Sequence, residues 1–351
     1  MANNSPEFSF DLYPDLDRDL DDIYRRNLEQ GVASGEVIAT AVLAATVDRQ
    51  LENDPHEISK LAEDWARLEF DGESGINQKW GRYYDQYNTD NDGMNHSPID
   101  PEPNLSFDNL KRHDWEISNF EQKIEKLYLA KRALLESGET TPEGINVGET
   151  MHLVAVPWRI MRHNLVDGFD SWVKLMRHHQ GIKEPDYIND ELLSCIKSDS
   201  NRKLYKNPLK IGEYLTAKEY LDQKIAEDGN WGIILAQTSN EAGIKSLVKG
   251  SPEGRTPDAL TQNGSGLFYI GEQAIYGLGI FEWLALTFQE DPRQLSTKDV
   301  SWLLANRLID NGVPRVPCGD WYDSQVGSGL FSPGVGDVGA RPRLAVIALN
   351  P

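Results

Sequence analysis

The chain has 351 residues, 39% of them hydrophobic and 9% aromatic, which gives room for two domains and excludes global disorder. Its 56 acidic residues against 35 Lys and Arg give a net charge of −21. That balance argues against nucleic acid or an anionic membrane as partner, because both call for a concentrated basic face, and it favours basic partners or cations.

Residues 1–22 form an acidic lead. Asp15, Asp17, Asp19, Asp21 and Asp22 lack the glycine and closing glutamate of a calcium loop, so they read as a solvated segment. The chain does not open with a basic segment and an apolar run, and no stretch has the roughly eighteen apolar residues of a membrane helix. Leu278 to Phe288 comes nearest and carries Glu282. Cys195 and Cys318 lie far apart without zinc-ligand spacing, which suits a reducing compartment. The expectation is a soluble cytoplasmic protein with no membrane partner.

From Asp21 to Phe70 apolar residues recur at threes and fours, which predicts helices interrupted at Glu52-Asn-Asp-Pro55. The second carries Ile58, Leu61, Ala62, Trp65, Ala66 and Leu68. Residues 71–107 are rich in Gly, Asn, Asp and Pro and read as a mobile polar insert. A helix follows from about Asp108 to Ser137, with Ile117, Phe120, Ile124, Leu127, Leu129 and Leu134 as its core stripe and Lys123 and Lys131 on a mixed-charge surface. Asn146 to Gly181 reads as another helical stretch, divided by Pro157 and Gly168.

The pattern changes near residue 212. A helix over Tyr214 to Ala226 leads to a strand over Trp231 to Thr238, and Thr238-x-x-Glu241 has the spacing of a capping box for a helix to Lys249. Leu278 to Gln289 is the most hydrophobic helix, Ser296 to Asp299 offers a cap for a helix over Val300 to Leu308, and Arg343 to Leu349 ends the chain as a strand. The predicted fold class is α+β. A mainly helical domain over 23–205, with its insert at 71–107, precedes a smaller mixed domain with a short sheet over 206–351.

Two constellations carry functional meaning. On a helix, Glu149, His152, His163 and Asp167 fall in one sector, and Glu149-x-x-His152 has the one-turn spacing with which helical bundles hold a divalent metal. Pro157 and the apolar Leu153, Val156 and Ile160 oppose this, since a His and a carboxylate at a helix junction commonly satisfy each other. The second set is aromatic. Trp80, Tyr83, Tyr84 and Tyr87 in the polar insert, with Trp321, read as a binding surface. The alternative is that they fold back onto their own helices.

Other motifs fall away. The Gly-x-Gly-x-x-Gly at 334–339 precedes a strand, whereas a dinucleotide fingerprint opens a helix. Gly-rich turns between strands account for Val316 to Leu330 (VPCGDWYDSQVGSGL), and Cys318 reads as an inert thiol because no histidine follows residue 179. His178 and His179 suit a helix C-terminus.

Glu253-Gly-Arg-Thr-Pro257, Leu278-Gly-Ile-Phe-Glu-Trp-Leu-Ala285, Asp291-Pro292, Ser301-Trp-Leu-Leu304 and Val313-Pro-Arg-Val-Pro317 resemble, in that order, an uncharacterised bacterial family. The likeness covers the last third of the chain, and Trp321 stands where the family has a Trp-rich ending. It implies a cytoplasmic bacterial protein and no particular chemistry. The functional expectation is a non-enzymatic protein-interaction or assembly factor with a protein partner. The alternative is a metal-dependent enzyme built on Glu149, His152, His163 and Asp167.

Overall fold

The computed structural model describes residues 55–81, 104–165, 196, 205–206, 214–238, 243–244, 267–270, 273–290, 300–305, 308–310, 313–322, 325–331, 340–342 and 344–347. The chain divides into two compact units, Met1–Leu61 and Ala62–Pro351, and the packing described here is that of the second. The fold is α+β.

Helix α1 (Pro55–Asp71) opens on a proline, whose missing N–H is not needed in a first turn. Ala62, Trp65, Ala66 and Phe70, three or four apart, are its buried side. Residues 76–81 are helical and bury Ile76 and Trp80. Both flanks of the polar insert are therefore core, and Asn77 Oδ1 accepts from Leu105 N at 2.9 Å.

The single helix expected from Asp108 is two, α2 (Phe107–Arg112) and α3 (Phe120–Glu136). Between them the backbone of residues 115–118 bonds to residues 228–231 instead of continuing the helix, and it re-enters through Asn119 at φ 54°. Phe70 and Phe107 meet Phe120 edge to face at 5.6 and 5.2 Å between ring centres.

The helix expected at 146–181 is also corrected. A 3-10 turn, Val147–Thr150, leads into strand β1 (Met151–Val156), and only beyond Pro157 does helix α4 (Trp158–Asn164) begin. A short apolar run has no decisive period of its own. Pairing decides it here, since all six residues of β1 oppose β4 (Gly232–Gln237) antiparallel.

Two short strands, β2 (Tyr205–Lys206) and β3 (Tyr214–Leu215), pair with each other, so the helix expected from Tyr214 begins later, as α5 (Ala217–Asp228). A reciprocal capping box between Thr216 and Glu219 starts it. Strands β5 (Leu267–Ile270) and β6 (Gln273–Gly277) form a hairpin, and helix α6 (Ile280–Gln289) is buried along its whole length.

The first sheet has the order β1-β4-β12-β6-β5, with β12 (Leu344–Ile347) as the terminal strand. It takes β1 from before residue 205 and its other strands from after it, so its pairing crosses the expected domain boundary.

The second sheet runs β11-β7-β9-β8-β2-β3, with β10 paired to β9. Here β7 (Val300–Trp302) and β8 (Leu308–Asp310) replace the helix expected over Val300 to Leu308, because Ser301 and Trp302 pair with Gly319 and Cys318. Strands β9 (Val313–Tyr322) and β10 (Gln325–Phe331) are a hairpin, and β11 (Ala340–Pro342) lies parallel to β7. The glycine-rich stretch is thus mostly strand rather than turns, with Gly327 and Gly329 opposite Asp320 and Cys318. Glycine inside a strand marks a close approach. A Cβ on Gly319 would lie 2.3 Å from Trp283 Nε1, and one on Gly232 would lie 2.2 Å from Trp158 Nε1.

Candidate functional site

His152 lies on β1, an edge strand of the first sheet, and Glu149 is exposed in the 3-10 turn before it. The shared helical face expected for Glu149, His152 and His163 therefore does not form. His163 is exposed on α4, and Asp167 lies outside the described residues. Among the described residues no three His, Cys, Asp or Glu side chains are grouped to hold a metal ion.

His152 meets a residue that the sequence pattern does not single out. Its Nδ1 is 3.2 Å from Glu69 Oε1 on α1. Glu69 also accepts from Trp65 Nε1 at 3.2 Å and from Leu153 N at 3.4 Å. Burial pushes this carboxyl up, but His152, Lys131 and the Leu153 N–H outweigh it and hold the group down at about 2. Glu69 is consequently an anion at neutral pH.

Lys131 on α3 is buried and donates from Nζ to Met151 O at 2.6 Å. Burial lowers its pKa, while Glu69 and Glu149 act in the opposite direction. On the same strand Gln289 of α6 donates to Ala155 O and accepts from Ala155 N, both at 3.0 Å. Lys131, Glu69 and Gln289 thus satisfy the backbone of β1 on the side where no further strand lies among the described residues.

A second polar cluster lies between helices. Asp228, the last residue of α5, accepts from Lys123 Nζ at 2.6 Å and from Trp158 Nε1 at 3.2 Å, with Lys224 Nζ at 3.8 Å. An acid opposes the dipole at a helix C-terminus, so tertiary contacts hold it there. Nearby, Tyr220 donates to Glu282 Oε1 at 2.9 Å. Glu282 Oε2 is buried and has no hydrogen-bond partner among the described residues. Burial raises the Glu282 carboxyl more than Lys224, its own backbone N–H and the Tyr220 hydroxyl lower it, and Asp228 adds to the rise.

The backbone of Asp228 supports an exposed aromatic. Ser118 N donates to Asp228 O at 2.7 Å, Asn230 N to Trp115 O at 3.2 Å, and Trp231 N to Glu116 O at 2.8 Å. Gly229 sits between them at φ 96°, where a Cβ would come within 2.8 Å of Glu116 O. Trp115 itself is 58% exposed and stands beside His113, ring centres 6.0 Å apart.

Of the expected aromatic surface, Trp80 is the residue whose side chain is described. Trp80 is buried against Trp231 and Phe288, at 5.0 and 5.9 Å between ring centres, so it folds back onto the core. Tyr83, Tyr84 and Tyr87 lie outside the described residues. Trp321 belongs to β9, and nothing further is described of its side chain. Cys318 is buried on β9.

No helix among the described residues is long and apolar enough to cross a membrane. No family model, curated protein or solved structure matches this chain.

Proposed function

We propose that this chain is a protein-interaction factor that docks its partner on Trp115. One observation carries the reading: a large aromatic is 58% exposed on a loop whose backbone is already fixed to the 228–231 turn. The other tryptophans with described side chains, at 65, 80, 158, 231, 283 and 302, are all buried. Tryptophan is prominent among the residues that dominate binding energy, and a fixed loop lowers the entropy lost on association. The partner is a protein with a basic face, since a net charge of −21 attracts it over distance and repels acidic competitors.

A photo-crosslinking amino acid at position 115, used in the native host, captures the partner for identification. Binding to the purified partner is then measured for the wild type and for Trp115→Ala. The expected result is a loss of about thirtyfold or more on truncation, corresponding to about 2 kcal/mol. Affinity is also expected to fall as salt rises. Equal affinity of the two proteins ends the proposal for Trp115, and indifference to salt ends the charge argument.

A further inference from the structure

His152 carries a chemistry that protein binding at Trp115 does not use. The ionised Glu69 carboxylate can only accept hydrogen bonds. A neutral imidazole at 3.2 Å must therefore keep its proton on Nδ1, which leaves the lone pair on Nε2. Among the described residues Nε2 has no hydrogen-bond partner, and the His152 side chain is 41% exposed against 16% for Glu69 behind it. Glu69 is itself oriented by the Trp65 and Leu153 N–H groups. A reactive group within reach of a second group, which is in turn oriented by a third, is the arrangement of an activated nucleophile.

We propose that His152 is a nucleophilic imidazole that accepts acyl groups on Nε2 from uncharged or cationic activated esters, with Glu69 as its positioning residue. The preference in charge follows from Glu69, the exposed Glu149 and the net charge of −21, all of which repel anionic donors. The Nε2 lone pair attacks the acyl carbon, the bond from that carbon to the leaving oxygen breaks, and the alcohol departs as its anion. The resulting N-acylimidazolium keeps its Nδ1–H on the Glu69 carboxylate, which balances the positive charge. Water then attacks the acyl carbon, the acid is released, and the proton left on the imidazolium neutralises the departed alkoxide. The sum is ester plus water to acid plus alcohol, with no other reactant.

The test uses the full chain and 4-nitrophenyl acetate, following nitrophenolate release and locating trapped acetyl groups by peptide mass spectrometry. His152→Ala is expected to lower the protein-dependent rate about a hundredfold, the lower end for a positioned catalytic group. His56→Ala should leave it unchanged. Acetyl should accumulate on His152 ahead of the exposed His56, His113 and His163. Glu69→Gln should lower the rate while a near-UV spectrum like the wild type's shows that the fold persists. Because a buried-site variant can misfold, the tautomer is read separately in the wild type by 15N NMR of the imidazole, with the Nδ1–H form expected. An unchanged rate in His152→Ala, acetyl spread evenly over the histidines, or an Nε2–H tautomer overturns the proposal. None of these measurements depends on Trp115, so its fate and that of the binding reading are separate.

Discussion

Glu69, half-buried, and Glu282, buried, both lie on helices packed near the first sheet, yet the protein holds the first carboxyl below its ordinary pKa and the second above it. Burial raises both carboxyls, so desolvation does not distinguish them. The partners do. Glu69 faces an imidazole and two N–H donors, with Lys131 close by. Glu282 has the charge of Lys224, its own backbone N–H and one phenolic donor, and these are opposed by the repelling Asp228. The donors and charges around the carboxyl, more than its desolvation, set the direction of its shift.

Removing Glu69 is the strongest way to break that contrast. Glu69→Ala strips the partner from Trp65 Nε1, His152 and Leu153 N together and takes from buried Lys131 the larger of the two anionic charges that act on it. A loss of about 3–5 kcal/mol in urea unfolding at neutral pH is expected. A loss under about 1 kcal/mol would mean that these contacts add little to stability.

The two acids should also answer pH with opposite signs. Glu69 is depressed from 4.5 to about 2, so its stabilisation is complete above pH 4.5 and is lost as pH falls through about 2. The amount is about 3 kcal/mol. Glu282 is raised above 4.5, so its stabilisation is present below pH 4.5 and is lost as pH rises through its own, higher value. Unfolding measured across the acid range should therefore lose its low-pH slope in Glu69→Gln. In Glu282→Gln the slope above pH 4.5 should flatten instead. Slopes of the same sign for both acids would overturn the assignment.

Smaller effects sharpen the comparison. Tyr220→Phe removes the hydroxyl bonded to Glu282, and a cost of about 1–2 kcal/mol in thermal or urea unfolding is expected. Glu282→Gln keeps the shape and removes the ionisable group, so its stability at neutral pH should lie within about 1 kcal/mol of wild type or above it. A large loss there would show that Glu282 works as an anion.

How far the sequence announces these sites depends on the kind of signal. Long periodic elements are legible: the helices at Pro55–Asp71 and Ile280–Gln289 fall where spacing predicts them. Short apolar runs are not, and Met151–Val156 and Val300–Trp302 become strands because partners elsewhere in the chain pair with them. That change takes His152 off the helix on which Glu149 would share its face. Lys123 and Lys131 read as surface charge, and their burial depends on Asp228 and the Met151 carbonyl, neither near in sequence. Glu69 gives one local hint, its position four residues after Trp65, whose indole bonds to it. Trp115 sits in a segment whose helical spacing conceals the break at 113–119, and the 228–231 turn that causes the break is over a hundred residues away.

The side chains along β1 have a consequence for self-association. An exposed strand edge is a template on which a second chain can add a strand, and proteins that leave one open risk stacking into cross-β assemblies. Here Gln289 presents both an acceptor and a donor to Ala155 and so imitates one peptide unit of a neighbouring strand, while Glu69 and Lys131 occupy the flanking positions. All three belong to helices, so the edge is closed only while α1, α3 and α6 are docked. Aggregation through this edge then starts from a partly unfolded form in which a helix has lifted away, and its rate follows the population of that form.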